Sequence, residues 1–317
     1  MTLHRAAALL RGWDHLLILT HRRPDGDTIG CAAALCRGLR ALGKTCFVLE
    51  NPDLTARLAP YLEGCLAPEG YAWQRMVAVD TGAVQQLPPA QQELAARTDL
   101  LVDHHRSGGF GEHRLIFPES AACGEIVYDL LEALGVVLTP EIALPLYLAI
   151  STDTGCYRFS NTTARTHEIT ARLMETGFDF FSVNFEQFEK KSRARIGVEA
   201  AVFGGMELSA GGALCIMAVT RDLREKTGAT TDDLDNISML SRQMSGVMIG
   251  ITLREEEPDN WKVSVRTMAP YQANDICAVL GGGGHVRASG CQISGKSLAE
   301  AAELLKGAVR SLYPEMG

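Results

Sequence analysis

The chain has 317 residues, of which 46% are hydrophobic and 21% are charged, and its formal net charge is −8. This length allows two domains of ordinary size, and the acidic excess argues against a surface that grips long nucleic acid, which is normally basic. No apolar run approaches the roughly 20 residues needed to cross a bilayer, so no membrane association is expected.

Cysteine usage gives a first indication of the compartment. The nine cysteines are an odd number, and most lie in apolar segments such as "CAAALC" and "ALCIMAV". Reduced core thiols are therefore expected rather than disulfides or a zinc site, which predicts a cytoplasmic protein. The N-terminal segment "MTLHRAAALLRGWDH" has no convincing cleavage site and is predicted to form a first helix, not a signal peptide.

Up to about residue 180, short apolar runs alternate with segments of helical periodicity. The predicted strands are "HLLILTH", "KTCFVLE", "RMVAVD", "DLLVDHH" and "HRLIFPE", and the predicted helices include 27–43, 90–97, 121–135 and 140–152. This alternation predicts an α/β domain built on a doubly wound, mostly parallel sheet with helices on both faces. Such sheets bind ligands beyond the carboxyl ends of their strands.

The second half of the chain has a different pattern. Residues 180–202 are charged and amphipathic and predict a connecting helix, "MELSAGGALCIMAVT" predicts two strands, and "VMIGITLREEEPDNWKVSVRTM" predicts a hairpin. "SLAEAAELLKGAVRSLY" predicts a closing helix with a capping box from Ser297 to Glu300. The expected organisation is a catalytic domain at 1–185, a connecting helix at 186–203, and a smaller α/β domain with a mixed sheet at 204–317, with a cleft between the domains.

Acidic and histidine side chains recur where predicted elements of the first half end. Listed along the chain, they are His21, Asp25, Asp27, Asp80, Asp103, His104, His105 and Asp153. Because the carboxyl ends of parallel strands meet at one edge of a sheet, six of these side chains are expected to share one pocket: His21, Asp25, Asp27, Asp80, His104 and Asp153. A single aspartate at a strand end is most often a cap or turn residue, so the prediction depends on the recurrence of four separate clusters.

Four carboxylates packed together repel one another and need cations to stay ionised. A mixture of imidazole and carboxylate suits Mn²⁺ and its neighbours better than it suits Ca²⁺. Six ligands are more than one catalytic ion with open positions needs. The pattern therefore predicts a pair of ions about 4 Å apart, an arrangement that catalyses phosphate-ester hydrolysis.

Five motifs in order resemble a known family. "DHH" at 103–105, with "HRRPDGD", "VDT" and "STDTG", resembles the DHH phosphoesterase superfamily. "GGGGHVRASG" at 281–290 is similar to the signature of the associated C-terminal domain of its RecJ-like branch, and "STDTGCYRFSNTT" is similar to the nanoRNase/pAp phosphatase subgroup. The resemblance covers nearly the whole chain.

The resemblance implies two ion sites that share ligands and are occupied by Mn²⁺, with Mg²⁺ or Co²⁺ as substitutes. One site would be formed by His21, Asp25, Asp80 and Asp153, and the other by Asp27, Asp80, His104 and Asp153. Asp80 and Asp153 would bridge the ions, which activate a hydroxide for attack on phosphorus. His105 would face the scissile phosphate, and Asp103 would orient a histidine.

The glycine-rich motif predicts a phosphate site in the second half. Successive glycines let backbone N–H groups converge on an anion, and a guanidinium late in a strand can bind a phosphate through two hydrogen bonds. Taken alone, the motif is a weak phosphate signal that could instead be a flexible turn, and Arg266 could be a surface strand residue. With the resemblance, the expected substrate-binding residues are Arg158, Arg266, Gly282, Gly283, Gly284, His285 and Arg287, although Arg287 stands at a position where the family often has lysine.

These observations predict a Mn²⁺-dependent phosphoesterase that hydrolyses short oligoribonucleotides and 3′-phosphoadenosine 5′-phosphate. Hydrolysis of cyclic dinucleotides such as c-di-AMP and c-di-GMP, or of their linear products, is the alternative within the same class. A non-catalytic nucleotide-binding module is the alternative of another class, and the complete ligand set argues against it. The expected partners are short RNA or nucleotides, and a homodimer is compatible with the sequence.

Overall fold

The computed structural model describes residues 1–106 and 109–316. The chain divides into two compact units, Met1–Lys190 and Lys191–Gly317. Ser107 and Gly108 of the motif "LLVDHHRSG" and the C-terminal Gly317 lie outside the described residues. Among the described helices, none has both the length and the apolar composition of a membrane span.

The first unit is built on a five-stranded sheet in which all neighbouring strands are parallel. Its strands are β1 (Leu16–Leu19), β2 (Cys46–Val48), β3 (Arg75–Val79), β4 (Leu100–Asp103) and β5 (His113–Ile116). They are arranged in the order β2-β1-β3-β4-β5. The prediction of a mostly parallel α/β sheet is therefore confirmed.

The two faces of this sheet are covered by different kinds of structure. Leu16 and Ile18 belong to a core formed with the helices, whereas Leu17 and Leu19 belong to a second core that includes Leu87. The helices of the unit are α1 (Leu3–Gly12), α2 (Gly26–Ala41), α3 (Cys123–Leu134), α4 (Pro140–Asp153), α5 (Ala164–Met174) and α6 (Phe180–Asn184). Because both faces are buried, the inner strands β1, β3 and β4 carry continuous apolar runs and do not alternate.

The second face is covered in part by short 3₁₀ segments, Val84–Gln86 and Pro89–Arg97. The helix predicted at 90–97 is thus present as a 3₁₀ helix and not as an α-helix. It begins with a proline and connects two neighbouring strands, a setting in which short 3₁₀ turns are common.

Close packing of α2 against α4 explains why Gly26 and Gly30, near the start of α2, are glycines. A Cβ atom at Gly26 would lie 2.4 Å from Thr152 Oγ1, and one at Gly30 would lie 2.2 Å from the Pro145 carbonyl oxygen. Both distances are far shorter than a van der Waals contact, so only glycine permits this approach. The approach brings the start of α2, which carries two of the aspartates, beside the end of α4, which carries Asp153.

The connecting segment predicted as one helix at 186–203 is interrupted in the structure. α6 continues into a π-helical turn, Phe185–Glu189, and a separate helix, α7, spans Arg193–Gly204. Ser192 is extended, and its hydroxyl accepts a hydrogen bond from the Arg195 amide at 2.9 Å. This N-cap starts a new helix, so the continuous helix predicted from the amphipathic pattern is not formed.

The second unit contains a six-stranded mixed sheet in the order β10-β11-β9-β8-β7-β6. Its strands are β6 (Glu207–Ser209), β7 (Leu214–Val219), β8 (Ile249–Glu257), β9 (Asn260–Thr267), β10 (Gly283–His285) and β11 (Ala288–Ser294). β7 and β8 are parallel, and the other neighbouring pairs are antiparallel. The predicted mixed sheet and the hairpin, which is β8–β9, are confirmed.

Four helices complete this unit: α7, α8 (Arg221–Thr227), α9 (Ala273–Val279) and α10 (Leu298–Leu312). α10 is the predicted closing helix, and its capping box is formed by Ser297 and Glu300. α8, α9, β10 and β11 were not predicted. α9 and α10 cover one face of the sheet, where they pack on Val263, Val265 and Cys291.

Candidate metal centre and active site

The predicted polar clusters meet at the carboxyl edge of the five-stranded sheet. His21 follows β1, Asp80 follows β3, His104 follows β4, and Asp153 is the last residue of α4. The strand order changes direction between β1 and β3, and the crevice at such a point is where open parallel sheets bind ligands. The topology therefore explains why residues from four distant motifs share one site.

Six side chains form two neighbouring groups. Within each group, the ligand atoms of the three residues lie within 4.8 Å of one another. One group is His21, Asp25 and Asp80, and the other is Asp27, His104 and Asp153. A third, overlapping group joins Asp80 to His104 and His105. The structure therefore brings together all six residues for which metal ligation was predicted.

His21 is oriented by its own loop. Its Nδ1 lies 2.9 Å from the Arg22 carbonyl oxygen, which can only accept, so Nδ1–H donates and Nε2 is turned to the carboxylates. Nε2 lies 3.5 Å from both Asp25 Oδ1 and Asp80 Oδ2. Asp25 also caps α2, since its Oδ1 accepts from the Asp27 and Thr28 amides at 3.1 and 3.2 Å.

The first two residues of α3 hold the Asp27 carboxylate in place. Its Oδ2 accepts from the Cys123 amide at 2.7 Å, and its Oδ1 accepts from the Gly124 amide at 2.9 Å and from Cys31 Sγ at 3.3 Å. The positive end of a helix dipole stabilises a carboxylate at this place. Asp27 is 1% exposed, so these contacts define its position before any ion binds.

His104 links the second group to Asp80. Its Nδ1 lies 3.2 Å from the Ser120 carbonyl oxygen, which again leaves Nε2 for the pocket. Nε2 lies 3.5 Å from Asp80 Oδ1, 3.6 Å from Asp153 Oδ2 and 3.8 Å from Asp27 Oδ2. Metal-binding histidines usually donate one ring N–H to a partner such as a backbone carbonyl and bind the metal through the other ring nitrogen.

Asp80 occupies the centre of the site. Its two carboxylate oxygens face different histidines, His21 and His104. It is 3% exposed, and its Oδ1 is buried without a hydrogen-bond partner among the described residues. Its φ of 50° lies in the left-handed region, which is strained for a non-glycine residue. Strain and an unpartnered buried acceptor together are typical of a functional residue.

The protonation equilibria of the cluster reflect the crowding of its carboxylates. Burial and the charges of Asp80, Asp153 and Asp25 hold the pKa of Asp27 well above its usual range. Burial, with Asp80 and Asp25, raises the pKa of Asp153 to about 7, although His104 opposes this shift. Burial opposes charge on His21, but its carboxylate neighbours outweigh burial and raise its pKa to about 11.

These features test whether the residues fit a metal. The donor set is four carboxylates and two imidazole Nε2 atoms turned to one pocket, which is suitable for first-row divalent ions and poor for ions that prefer oxygen alone. The unpartnered Asp80 Oδ1 and the raised carboxyl pKa values show that protein groups alone leave the cluster uncompensated. The residues fit divalent cations.

His105 lies beside this cluster and is held by Asp103. Its Nδ1 is 2.7 Å from Asp103 Oδ1, and the same oxygen accepts from the His104 and His105 amides at 2.8 and 3.2 Å. The hydrogen bond with Asp103 raises the pKa of His105. The His105 side chain is 39% exposed, so its other nitrogen, Nε2, is available to a ligand.

The second unit places Arg266 and His285 in one row of its sheet. Ala288 of β11 is paired in register with Arg266 of β9 on one side and with His285 of β10 on the other. Directly opposed residues project from the same face, and two strand spacings separate the side chains by about 10 Å. The predicted position of Arg266 near the end of a strand is confirmed.

Arg266 is half-buried, and its Nη1 donates to the Val265 carbonyl oxygen at 3.1 Å. It makes no ion pair with a carboxylate of the described residues. Burial and the nearby charge of Arg242 lower its pKa. A guanidinium remains charged in proteins, so this arrangement favours an anion.

The glycine run is partly a strand and not wholly a loop. Gly283–His285 form β10, and His285 is exposed. A Cβ at Gly282 would lie 2.3 Å from the Gly290 carbonyl oxygen, and Gly284 has a φ of 147°. These positions need glycine because of close strand contact and an unusual backbone conformation. The glycines of the predicted phosphate site are therefore also required by the local backbone structure.

The two remaining predicted substrate residues are exposed and bonded to backbone. Arg158 follows Asp153 in the first unit, and its Nε donates to the Gly155 carbonyl oxygen at 2.7 Å. Arg287, in the second unit, donates through Nη1 to the Tyr271 carbonyl oxygen. Neither lies in the six-residue cluster.

Some supporting residues were not predicted from the sequence. Asn51 Nδ2 donates to the His21 carbonyl oxygen at 2.8 Å, and Asn161 Nδ2 donates to the Asp153 carbonyl oxygen at 3.1 Å. The Cys123 and Gly124 amides hold Asp27. Backbone donors leave no pattern in side-chain types, whereas the position of Asn161 in "RFSNTT", close after a ligand motif, was a usable signal.

Two family models match the chain. The model described as the DHH family, N-terminal domain, matches residues 15–150, and the model of the DHHA1 domain matches residues 211–311. All six clustered residues except Asp153 fall within the first match, and Arg266 and the glycine run fall within the second.

Among curated proteins, the chain is similar to two bacterial proteins named bifunctional oligoribonuclease and PAP phosphatase NrnA. It is 33% identical to the Thermus thermophilus protein over 306 residues, which covers 95% of this chain and 91% of that protein. It is 25% identical to the Bacillus subtilis protein, with 89% of this chain and 90% of that protein covered.

Among solved structures, an exopolyphosphatase-related protein from Bacteroides fragilis matches with a TM-score of 0.85 at 21% identity, covering 99% of this chain and 97% of that chain. RecJ from Thermus thermophilus, solved in complex with Mn²⁺, matches with a TM-score of 0.55 at 16% identity, covering 97% of this chain and 55% of that chain. At these identities the matches show a shared fold.

Proposed function

The chain belongs to the DHH family of metal-dependent phosphoesterases, and we propose that it uses Mn²⁺ to hydrolyse short oligoribonucleotides and 3′-phosphoadenosine 5′-phosphate. The observation that carries this proposal is the clustering of six candidate metal-ligating side chains around the buried Asp80, one of the six, whose Oδ1 has no hydrogen-bond partner among the described residues. The names of the curated relatives support the substrate class.

Two ions would be held by overlapping ligand sets. His21 and Asp25 would serve the first ion, Asp27 and His104 the second, and Asp80 and Asp153 both. The contacts of Asp80 with both histidines support its bridging role, and the contact of Asp153 with His104 supports its place at the second ion. Bound divalent cations would lower the pKa of a coordinated water to about 7 and offset charge on the phosphoryl oxygens.

The chain's own groups would position the substrate phosphate and stabilise the charge that develops on it. Asp103 fixes the Nδ1–H tautomer of His105 and favours the imidazolium. His105 Nε2–H would then donate to a phosphoryl oxygen of the substrate and stabilise the charge that develops there. Asp103 is buried and bonded to three donors, so its role is to position His105 and not to react.

The second unit would recognise the rest of the substrate. Arg266 would bind a terminal phosphate of the nucleotide, and His285, in the same row of the sheet, would bind beside it. The amides of Gly282, Gly283 and Gly284 would add donors to that phosphate, with Arg287 at its edge. Arg158, in the first unit, would contact the substrate close to the metal ligands.

A substrate panel tests this proposal. Purified protein is assayed with and without Mn²⁺ on a dinucleotide, a 20-nucleotide RNA, 3′-phosphoadenosine 5′-phosphate and cyclic dinucleotides. Mn²⁺-dependent release of mononucleotides and phosphate from the short substrates is expected. Preferential cleavage of cyclic dinucleotides would reassign the substrate, and binding without turnover on any substrate would make the chain a nucleotide-binding module.

Compartment and assembly are also proposals. The nine cysteines are all free, and eight of them are buried, which supports a reducing cytoplasm. A homodimer is compatible with the exposed apolar residues of the first unit, such as Phe181 and Phe185. Sedimentation at several protein concentrations distinguishes the monomer from the dimer.

A further inference from the structure

Arg22 and Arg23 lie between the metal-ligand positions His21 and Asp25, and no role has been given to them so far. Both are exposed. Neither guanidinium makes an ion pair, a hydrogen bond or a ring contact with any of residues 1–106 or 109–316. Among the other exposed arginines of the first unit, Arg106 pairs with Glu119 at 2.9 Å, and Arg172 pairs with Glu175 at 3.4 Å.

In contrast to their side chains, the backbone of these two arginines is fixed. The Arg22 amide donates to the Gln86 carbonyl oxygen at 2.6 Å, and the Arg23 amide donates to Asp53 Oδ2 at 3.0 Å. The Arg22 carbonyl oxygen accepts from His21 Nδ1. The pair is therefore tied to the loops that follow β2 and β3 and to a metal-ligating histidine. The backbone thus anchors two unpaired cations beside a metal-ligating histidine.

Arg23 is also kept in a strained conformation. Its φ is 49°, in the left-handed region, where a non-glycine residue costs of order 1 kcal/mol. Glycine would relieve that strain, yet the chain carries a long cationic side chain here. Strain next to a metal-ligand motif indicates that the side chain has a use.

The charge balance of the site indicates what the arginines bind. Asp25, Asp27, Asp80 and Asp153 carry four negative charges when ionised, which equals the charge of two divalent cations. The loaded centre therefore presents no excess positive charge to a polyanionic substrate, and the chain as a whole has a net charge of −8. Phosphates beyond the scissile one need separate cations close to the metals.

We propose that Arg22 and Arg23 form a phosphate-binding subsite that holds the phosphate next to the scissile one in an oligonucleotide. Guanidinium groups are well matched to phosphate oxygens through paired N–H donors. The subsite makes the catalytic unit itself select nucleotide chains over isolated phosphodiesters. This inference rests on the proposed function, because it assumes that the metal centre cleaves phosphate esters.

The test compares R22Q and R23Q with R172Q, a charge-matched control whose exposed arginine lies on α5. Three substrates separate the contributions: pApA has a phosphate besides the scissile one, whereas ApA and bis-p-nitrophenyl phosphate have only the scissile phosphate. Manganese content is measured in every variant. Binding of a phosphorothioate analogue of pApA is measured at several salt concentrations.

Each subsite variant is expected to lose about tenfold in kcat/KM on pApA, mainly through KM, as for loss of a charge-assisted contact. Its salt slope of binding should fall by about 0.7, the value for one single-strand phosphate contact. ApA, bis-p-nitrophenyl phosphate, bound manganese and the R172Q control should not change. Equal losses on pApA and ApA, or no loss in either variant, would overturn the subsite.

Failure of the proposed function gives a different result. If the unmodified protein cleaves none of the three substrates, the phosphoesterase assignment is wrong, and the binding slopes still decide whether the arginines hold a phosphate. If the unmodified protein cleaves all three and the variants match it in turnover and slope, only the arginine subsite is wrong.

Discussion

His105 Nδ1 lies 2.7 Å from Asp103 Oδ1, and this oxygen also accepts the amides of His104 and His105. One buried carboxylate thus holds the turn that presents both histidines. It holds the His105 ring through Nδ1 and leaves the exposed Nε2 for a substrate, whereas the His104 ring is held by the Ser120 carbonyl oxygen. The charge of Asp103 and its hydrogen bond raise the pKa of His105.

Replacing Asp103 by asparagine removes that charge while keeping a similar shape. We expect kcat to fall about 10- to 100-fold, as for loss of a carboxylate behind a ligating or catalytic histidine. Because the pKa of His105 falls, the loss of rate on the alkaline side of the pH profile should begin at lower pH. The measurement is kcat against pH for D103N and for D129N, whose aspartate is on the surface of α3. An unchanged alkaline limb in D103N would remove the role of Asp103 in tuning His105.

Asp80→Ala should abolish turnover on every substrate, because Asp80 faces both histidines of the two ligand groups. The metal-free variant should remain folded, since the change relieves repulsion among buried carboxylates. Thermal unfolding with and without Mn²⁺ should show that the metal-induced rise in Tm is lost. D222A, at an exposed residue 2.7 Å from Lys226 Nζ, is the control. More than about a tenth of the normal rate, or roughly 1.4 kcal/mol of barrier, would contradict the bridging assignment.

Metal affinity should weaken on acidification through about pH 7. The pKa of Asp153 is raised to about 7 and that of Asp27 is also raised in the metal-free protein, so protons must leave before the carboxylates can bind an ion. The measurement is calorimetric titration of Mn²⁺ at pH 6 and pH 8 in buffers of different ionisation enthalpy. Net proton release on binding and tighter binding at pH 8 are expected, and a pH-independent affinity would contradict the raised pKa values.

The same shifts predict how the metal-free protein responds to pH. Folded-state pKa values above those of the unfolded chain mean that the folded state binds more protons between about pH 4 and 7. The contribution of these two aspartates to the free energy of unfolding therefore decreases as pH rises through that window. In denaturant titrations without metal, the free energy of unfolding of the unmodified protein should therefore decrease between about pH 4 and 7 by more than that of D153N.

Arg266→Ala and His285→Ala should impair recognition and spare the metal centre. Loss of a charge-assisted phosphate contact costs about 1.5 to 3 kcal/mol, or roughly 10- to 150-fold in kcat/KM. The loss should be large for 3′-phosphoadenosine 5′-phosphate and small for bis-p-nitrophenyl phosphate, which has no second phosphate. Equal losses on both substrates, or loss of bound manganese, would assign these residues to the catalytic centre.

Much of the first unit could be predicted because its signals are local. Apolar strands that end in charged residues predicted the parallel sheet, and the position of each cluster at an element end predicted one shared site. The second unit was less predictable. α8 and α9 are seven residues each, too short for a distinct helical period. The glycine run obscured the antiparallel pair β10–β11.

The break in the connecting segment shows another limit of pattern reading. The amphipathic pattern of 186–203 fits a continuous helix, yet the chain stops at Lys190–Ser192 and starts again with the Ser192 cap. Capping residues also occur within helices, so the hydroxyl alone does not distinguish a break from a continuous turn.

Local sequence patterns were enough to identify the side chains that could bind a metal and to place each of them at the end of an element. This was possible because strand and helix ends are recognisable from local periodicity and turn residues. Only the tertiary structure decided how these side chains are paired and held: Asp80 between His21 and His104, Asp27 on the amides that begin α3, and Arg22 and Arg23 left without partners. Those relationships depend on strand order and on the close approach of α2 to α4, which are contacts between segments far apart in the chain and therefore leave no local pattern.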